Sequence, residues 1–330
     1  MKKVIIHIGQ YKTGSTSIQK LLWESRSELL KNGILYPESF TRDCAHFLVS
    51  DMLRIEYRNK DFYTDLVPLR EEIENSSAGV AVISCESLSG ATVRRFAPDM
   101  MMYMWRRLAD LFEGYDVRIV FYVRRQDESI DSRIIQEIKG QARKSTISYE
   151  SFLSESSALN YHFFYSLLEE VFGSGTVDAR LYDRKSVFKS DIRYDFLHYL
   201  GLPLGAISVP ASEDNVSPSA KLVGFYRVIN TLNLSADDYS TLNTGVWREL
   251  SASGGPKAVV LGSRERNEIM EYFSKSNEDF VSEYVREESK EGFSDALFGP
   301  VRGVEANVFI DGVDVWRILK NKGFDVVRAL

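Results

Sequence analysis

Cysteine is almost missing from this chain: Cys44 and Cys85 are the only two in 330 residues. Two thiols in so long a sequence build no disulfide framework, and such usage fits a reducing compartment. Long apolar runs are missing too. The run Val4 to Ile8 is cut off by Gly9 to Thr13 before it reaches the length of a signal-peptide core. No stretch approaches the roughly 20 apolar residues of a membrane span. The expectation is a soluble, cytoplasmic protein with no integral membrane segment. Positive charge is not in excess either, with 41 basic against 47 acidic residues and a net charge of −6. Bulk nucleic-acid binding, which needs a basic surface, is therefore not expected. An anionic ligand would have to be held by a local cluster of donors. No set of His, Cys or carboxylate residues has metal-ligand spacing, so no metal is expected. The serines beside Glu86 do not form a G-x-S-x-G nucleophile elbow. Oligomeric state leaves no mark on the sequence.

The apolar fraction of 44% supplies a sizeable core. Val4 to Ile8, Val80 to Ser84 and Val117 to Val123 are short continuous apolar runs, the pattern of strands buried on both faces. Val177 to Tyr182 reads as a fourth strand. A helix from Thr16 to Lys31 follows the first strand, and one from Ile192 to Leu200, ended by Gly201, follows the fourth. Strands alternating with helices predict an α/β fold: three layers around a central parallel sheet. After Leu202 the prolines 203, 210 and 218 mark a loop-rich stretch, and the remainder reads as helix. Ser217-Pro218 predicts a helix start, and Asp237 to Leu250, Arg264 to Phe273, Asn277 to Val285 and Val313 to Leu330 are helical patterns, the last interrupted by Gly323. Residues 1–202 thus read as an α/β core, and 203–330 as a helical extension packed on it within one domain.

The first strand feeds Gly9-Gln10-Tyr11-Lys12-Thr13-Gly14-Ser15-Thr16-Ser17 and then a helix. A strand, a glycine-bearing turn and a helix start together make an anion site, because backbone N–H groups converge there and the helix dipole favours negative charge. Gly9 and Gly14 permit the tight turn; Thr13, Ser15, Thr16 and Ser17 add hydroxyls. The same hydroxyls would also suit plain helix capping. Gly9 and Gly14 have the spacing of the Walker A pattern, but Ser15 stands where that pattern has its lysine; the lysine here is Lys12. Cys85-Glu86, after the second buried strand, is a weak match to the acidic metal ligand of a nucleotide hydrolase.

The segment His7 to Gln19 resembles the 5′-phosphosulfate loop of sulfotransferases that use the sulfuryl donor PAPS, where the lysine likewise precedes the small hydroxyl cluster. It is most similar to bacterial soluble members. The resemblance implies a P-loop-like nucleotide site, PAPS as donor and its desulfated product PAP as the other bound form. The donor's 5′-phosphate would lie on Gly9, Lys12, Thr13, Gly14, Ser15, Thr16 and Ser17. It implies a second site for the 3′-phosphate at a strand-end arginine and a serine eight residues on, which here are Arg124 and Ser132; the fork of an arginine suits phosphate. It also implies a base after the strand that precedes the arginine strand. Glu86 holds that place, with His46 as the rival and Lys12 stabilising the leaving phosphate. Arg125 would face solvent or the nucleotide. Weaker echoes are Leu181-Tyr182-Asp183-Arg184 with Asp195-Phe196-Leu197, Asn215-Val216-Ser217-Pro218, and Ser276-Asn277 with Phe280. The basic-glycine C-terminal motif of steroid and phenol enzymes is not visible. The implied activity is sulfuryl transfer to a hydroxyl or amine, with a saccharide or glycolipid as acceptor. A P-loop kinase or nucleotide hydrolase, and a non-catalytic nucleotide-binding protein on the same fold, are the alternatives.

Overall fold

The computed structural model describes residues 1–10, 12–89, 98–140, 149–155, 157–183, 185–211, 217–232, 234–235, 237–243, 250, 255–301, 303, 305–308, 317 and 320. The expected helix at Val313–Leu330 lies outside them apart from Arg317 and Lys320, as do 244–249 of the helix expected at Asp237–Leu250, and Tyr11, Arg184, Asn215 and Val216.

Five strands are described: β1 (Lys3–His7), β2 (Ile34–Leu35), β3 (Val80–Ser84), β4 (Asp116–Val123) and β5 (Val177–Leu181). They form one parallel sheet in the order β2-β3-β1-β4-β5. The fold is therefore α/β around a central parallel sheet. The helices with described bounds are α1 (Ser15–Glu24), α2 (Arg26–Lys31), α3 (Phe47–Arg58), α4 (Val67–Asn75), α5 (Pro98–Leu111), α6 (Gln126–Lys139), α7 (Glu150–Glu155), α8 (Tyr161–Phe172), α9 (Ile192–Tyr199), α10 (Ala220–Ile229), α11 (Ser263–Tyr284) and α12 (Lys290–Phe298), and residues 237–243 are helical as well.

The chain forms two compact units that no single cut at residue 202 separates. The first comprises Met1–Gln126, Leu153–Ala211 and Tyr272–Gly299; the second Asp127–Phe152, Ser212–Glu271 and Pro300–Leu330. In the first unit the sheet's alternating side chains supply two cores. Val4, Ile6, Ile83, Ile119, Phe121 and Val123 pack with α3, α4, α5, α8 and α12. Ile5, Val82, Val120 and Tyr122 pack with α1, α2 and α9. The segment from Tyr272 belongs to the first unit because Phe280, Val281, Phe293 and Leu297 enter its core. In the second unit Asp131 of α6 accepts the amides of Val260 and Leu261 at 2.9 and 2.8 Å, and Arg266 bridges Asp127 and Asp131 at 3.3 and 3.2 Å.

Three local expectations need correction. The helix expected over Thr16 to Lys31 is two helices, broken at Ser25. The helix expected from Ser217-Pro218 starts at Ala220, capped by Ser219, because Pro218 and Ser219 pair with Lys257 and Ala258 instead. Arg264–Phe273 and Asn277–Val285 are one continuous helix, α11. Ser274-Lys275-Ser276 carries no glycine or proline to stop it, and Lys275 pairs with Asp279 one turn on at 2.7 Å.

Candidate functional site

The carboxyl ends of β1, β3 and β4 lie side by side. His7 is in register with Ser84 and with Val120, so the loop after β1, Glu86 after β3 and Arg124 after β4 leave one edge of the sheet from adjacent strands. Chain order reverses about β1, which has β3 on one side and β4 on the other. In open parallel sheets ligands collect at such a point, outside the carboxyl ends of the strands.

The loop is built from left-handed turns. Gly9 has φ 38°, Lys12 φ 66° and Gly14 φ 76°. Lysine is costly in that region, and such strain clusters at functional sites. Both glycines are also required by space: a Cβ on Gly14 would meet Ile192 Cγ2 at 2.8 Å, and one on Gly9 would meet Ser15 Oγ at 2.2 Å. Thr13 is fully buried. Its amide and hydroxyl both donate to the Gln10 carbonyl, at 3.2 and 2.6 Å, and the Ser17 amide donates to Gly14 at 3.0 Å. Thr13 therefore helps to shape the loop. Gly14 is the N-cap of α1 and Ser15 and Thr16 are its first residues, where the amides of a helix have no partner within the helix itself. Thr16 is exposed and Ser17 half-buried.

Lys12 and Arg124 come together across this edge. The Arg124 guanidinium donates to the Lys12 carbonyl at 2.8 Å and lies over the Tyr182 ring at 5.6 Å. Desolvation first, and the Arg124 charge second, hold the Lys12 ammonium below its ordinary pKa. Arg125 is half-buried and donates to the carbonyls of Gly299 and Ala296 at 2.6 and 3.4 Å, at the C-terminus of α12. Ser132 is half-buried on α6, in the second unit.

Glu86 opens a 3₁₀ turn after β3 and is buried. Its Oε2 accepts from Gln19 Nε2 of α1. Burial raises its pKa, and the Gln19 bond offsets part of that rise. His46, the rival base, is fully buried with both ring nitrogens engaged. Nδ1 accepts from the Ser84 amide at 3.2 Å, and Nε2 donates to the Pro37 carbonyl at 3.1 Å. Burial lowers its pKa to about 4. Both ring nitrogens of His46 are thus engaged with backbone groups of Ser84 and Pro37.

Several residues of this edge escape sequence reasoning. Buried Gln10 accepts at Oε1 from the Arg124 amide, at 3.3 Å, and the Tyr161 hydroxyl lies 3.0 Å from the same oxygen and also beside the Arg124 carbonyl. The start of α8 that carries Tyr161 is clamped by the late motif. Ser276 Oγ donates to Asn160 Oδ1 at 2.6 Å, buried Asn277 exchanges amide bonds with Gln126, and Phe280 packs on Tyr161. The other echo has a similar part. Asp195 accepts from Tyr122 and from both Arg180 nitrogens at 2.7–2.9 Å. That seats α9 so that Ile192 meets Gly14 and Phe196 meets His7. These residues are scattered singly along the sequence, and only the two echoes signalled them. His7 Nε2, Gln10 Nε2 and Ser15 Oγ are buried with no partner among the described residues. Each such atom costs about 1–3 kcal/mol unless something satisfies it.

No protein-family model matches the chain. It is 29% identical to an uncharacterised protein of Archaeoglobus fulgidus over 171 residues, 51% of this chain and 45% of that protein, so it spans less than half of that relative's length. Among solved structures it is similar to a sulfotransferase from Alicyclobacillus acidocaldarius, with a TM-score of 0.39 and 15% identity over 75% of this chain and 99% of that one. Among the described residues no helix is long and apolar enough to cross a membrane.

Proposed function

We propose that this chain is a sulfotransferase that moves a sulfuryl group from PAPS to a hydroxyl or amine of a saccharide or glycolipid. The observation that carries the reading is the meeting of Lys12 and Arg124, two cations from adjacent strand ends, tied by a 2.8 Å bond from the arginine to the lysine's own carbonyl. Desolvation first and the Arg124 charge second lower the Lys12 pKa, and a polyanionic ligand would favour both cations. A donor with phosphates at both ends of its ribose fits a lysine loop beside a strand-end arginine. The sequence pairing of Arg124 with Ser132 is the reason to expect the 3′-phosphate there.

The roles follow from the residues. The amides of Gly14, Ser15 and Thr16 at the head of α1, with the Thr16 and Ser17 hydroxyls, receive the 5′-phosphate. As the acceptor oxygen or nitrogen bonds to sulfur, the sulfur–oxygen bond to the 5′-phosphate breaks and its electron pair leaves on PAP. Lys12 neutralises that developing charge, an interaction strongest in the transition state. Glu86 takes the acceptor's proton, its basicity raised by burial and its carboxylate aimed by Gln19. The reading needs no metal, because lysine and helix head supply the positive charge.

Calorimetric titration with PAP, ATP and GTP, with and without magnesium, tests it. PAP should bind without magnesium, and at least about 10-fold more weakly in Lys12→Ala and in Arg124→Ala, each of which removes a charged donor. Arg125→Ala should bind PAP as the wild type does, since that side chain caps α12. A preference for ATP with magnesium, insensitive to Lys12→Ala, would sink the proposal in favour of a kinase or hydrolase. PAP binding without turnover of PAPS on any saccharide would point to a non-catalytic protein.

A further inference from the structure

β1 ends on an imidazole that no role above uses. His7 is 0% exposed, and the rings of Phe196 and Tyr122 lie 5.0 and 5.8 Å from its own. Its Nδ1 is 2.8 Å from Ser84 Oγ, on the residue paired with it in the neighbouring strand. Its Nε2 has no partner among the described residues, and neither has Ser15 Oγ, on a residue 5% exposed. The two orphaned atoms both lie beside Gly9. A Cβ built on Gly9 would stand 3.4 Å from His7 Nε2 and 2.2 Å from Ser15 Oγ. The imidazole thus comes up beneath the loop from the strand, and the hydroxyl reaches the same place from the head of α1.

Which end of the imidazole carries the proton is set by what the other end meets. A serine hydroxyl that donates to Nδ1 leaves the proton on Nε2, facing the loop. A hydroxyl and an N–H that both lie against Gly9, with no acceptor among the described residues, match the oxygen of an anion. We infer that His7 is a neutral hydrogen-bond donor, acting with Ser15, to the anion held by the loop, and that Ser84 is the positioning residue that fixes the donating tautomer. Burial lowers the His7 pKa to about 3, so the ring is neutral near pH 7. The inference rests on the loop being the phosphate end of the proposed donor site, but it concerns the anion and not the nucleotide.

The test therefore uses two probes, inorganic pyrophosphate and PAP, on the full chain. His7→Gln places an amide nitrogen close to the position of Nε2 and should keep wild-type affinity for both. His7→Asn, which reaches only toward Ser84, and His7→Leu should each bind about 10- to 100-fold more weakly, the loss of one hydrogen bond to a charged group. Nitrogen-15 spectra of the wild type should show His7 protonated at Nε2, with that proton moving downfield on adding pyrophosphate. Ser84→Ala should shift the ring toward the other tautomer, which a merely packed imidazole would not do. Unchanged affinity in folded His7→Leu, or a wild-type ring protonated at Nδ1, overturns the inference; the spectrum decides alone if His7→Leu does not fold. Pyrophosphate binding that depends on His7 in a chain that ignores PAP would refute the nucleotide reading and leave this one standing. PAP binding indifferent to His7 does the reverse.

Discussion

Gly9 and Ser15 provide a direct measurement of the loop's geometry. An alanine at position 9 has two separate costs. Its backbone must hold φ 38°, a left-handed conformation that disfavours L-residues by roughly 1–2 kcal/mol. Its Cβ would also stand 2.2 Å from Ser15 Oγ, well inside contact distance, and overpacking of that kind costs roughly 1–3 kcal/mol. Gly9→Ala should therefore destabilise the first unit by about 2–5 kcal/mol, the sum of those two ranges. Ser15→Ala removes a buried hydroxyl that bonds nothing described, so it should be neutral or slightly stabilising. In the double variant the clash partner is gone and only the backbone strain is left. Ser15 Cβ remains at 3.3 Å, which the helix head can absorb. The double-mutant cycle should then return a favourable coupling of about 1–3 kcal/mol, measured from urea midpoints by circular dichroism at constant m-value. Additive effects would refute the crossing of the loop by Ser15. Ser15→Ala should also weaken pyrophosphate binding while leaving stability intact, which separates the hydroxyl's two parts.

Two further substitutions probe the supports of the site. Glu86→Gln should lower sulfuryl-transfer activity by about 10²–10⁴-fold, the usual worth of a positioned base, while making the protein more stable. A carboxyl whose pKa is raised on folding weakens the fold once the pH exceeds its unfolded value, so this stability gain should be full above the folded pKa and vanish on acidification below the unfolded one. Loss of activity together with loss of stability would deny Glu86 its buried, unpaid position. Asp195→Asn should destabilise by about 3–5 kcal/mol, because it leaves Arg180 and Tyr122 without their shared acceptor. Burial alone would raise the Asp195 pKa, but the Arg180 bonds outweigh it and the net shift is downward. Its contribution is therefore present above the unfolded carboxylate range and is lost as the pH falls through the folded value. A wild-type and variant stability gap that does not narrow in acid would count against that ion pair.

Much of the sheet was readable from local pattern. Strands buried on both faces are apolar, β-branched-rich runs, and β1, β3 and the second half of β4 each show one, whereas β5, Val177-Asp178-Ala179-Arg180-Leu181, is half-buried and carries two charges. β2, two residues long, is too short to carry a pattern. The break at Ser25 and the unbroken passage through Ser274-Lys275-Ser276 were not readable, because helix ends that lack glycine or proline are set by tertiary contacts. The loop was legible down to the displaced lysine. The burial of Thr13, which spends both its donors on Gln10, was not.

The sequence alone determined the chemistry on offer: a lysine loop with two glycines, an arginine at a strand end and a carboxylate after another. Each is a short-range pattern written in consecutive residues. Only the tertiary structure decided how those groups are used. Parallel pairing of β1 with β3 and β4 put the three strand ends on one edge, and burial then sorted the candidates. It raised the basicity of Glu86 and left His46 with both nitrogens committed, while Arg125 went to the end of α12. It also left His7 Nε2 and Ser15 Oγ beside Gly9 with no partner among the described residues. Desolvation and partner choice depend on neighbours far away in the chain, so no local pattern of residues can encode them.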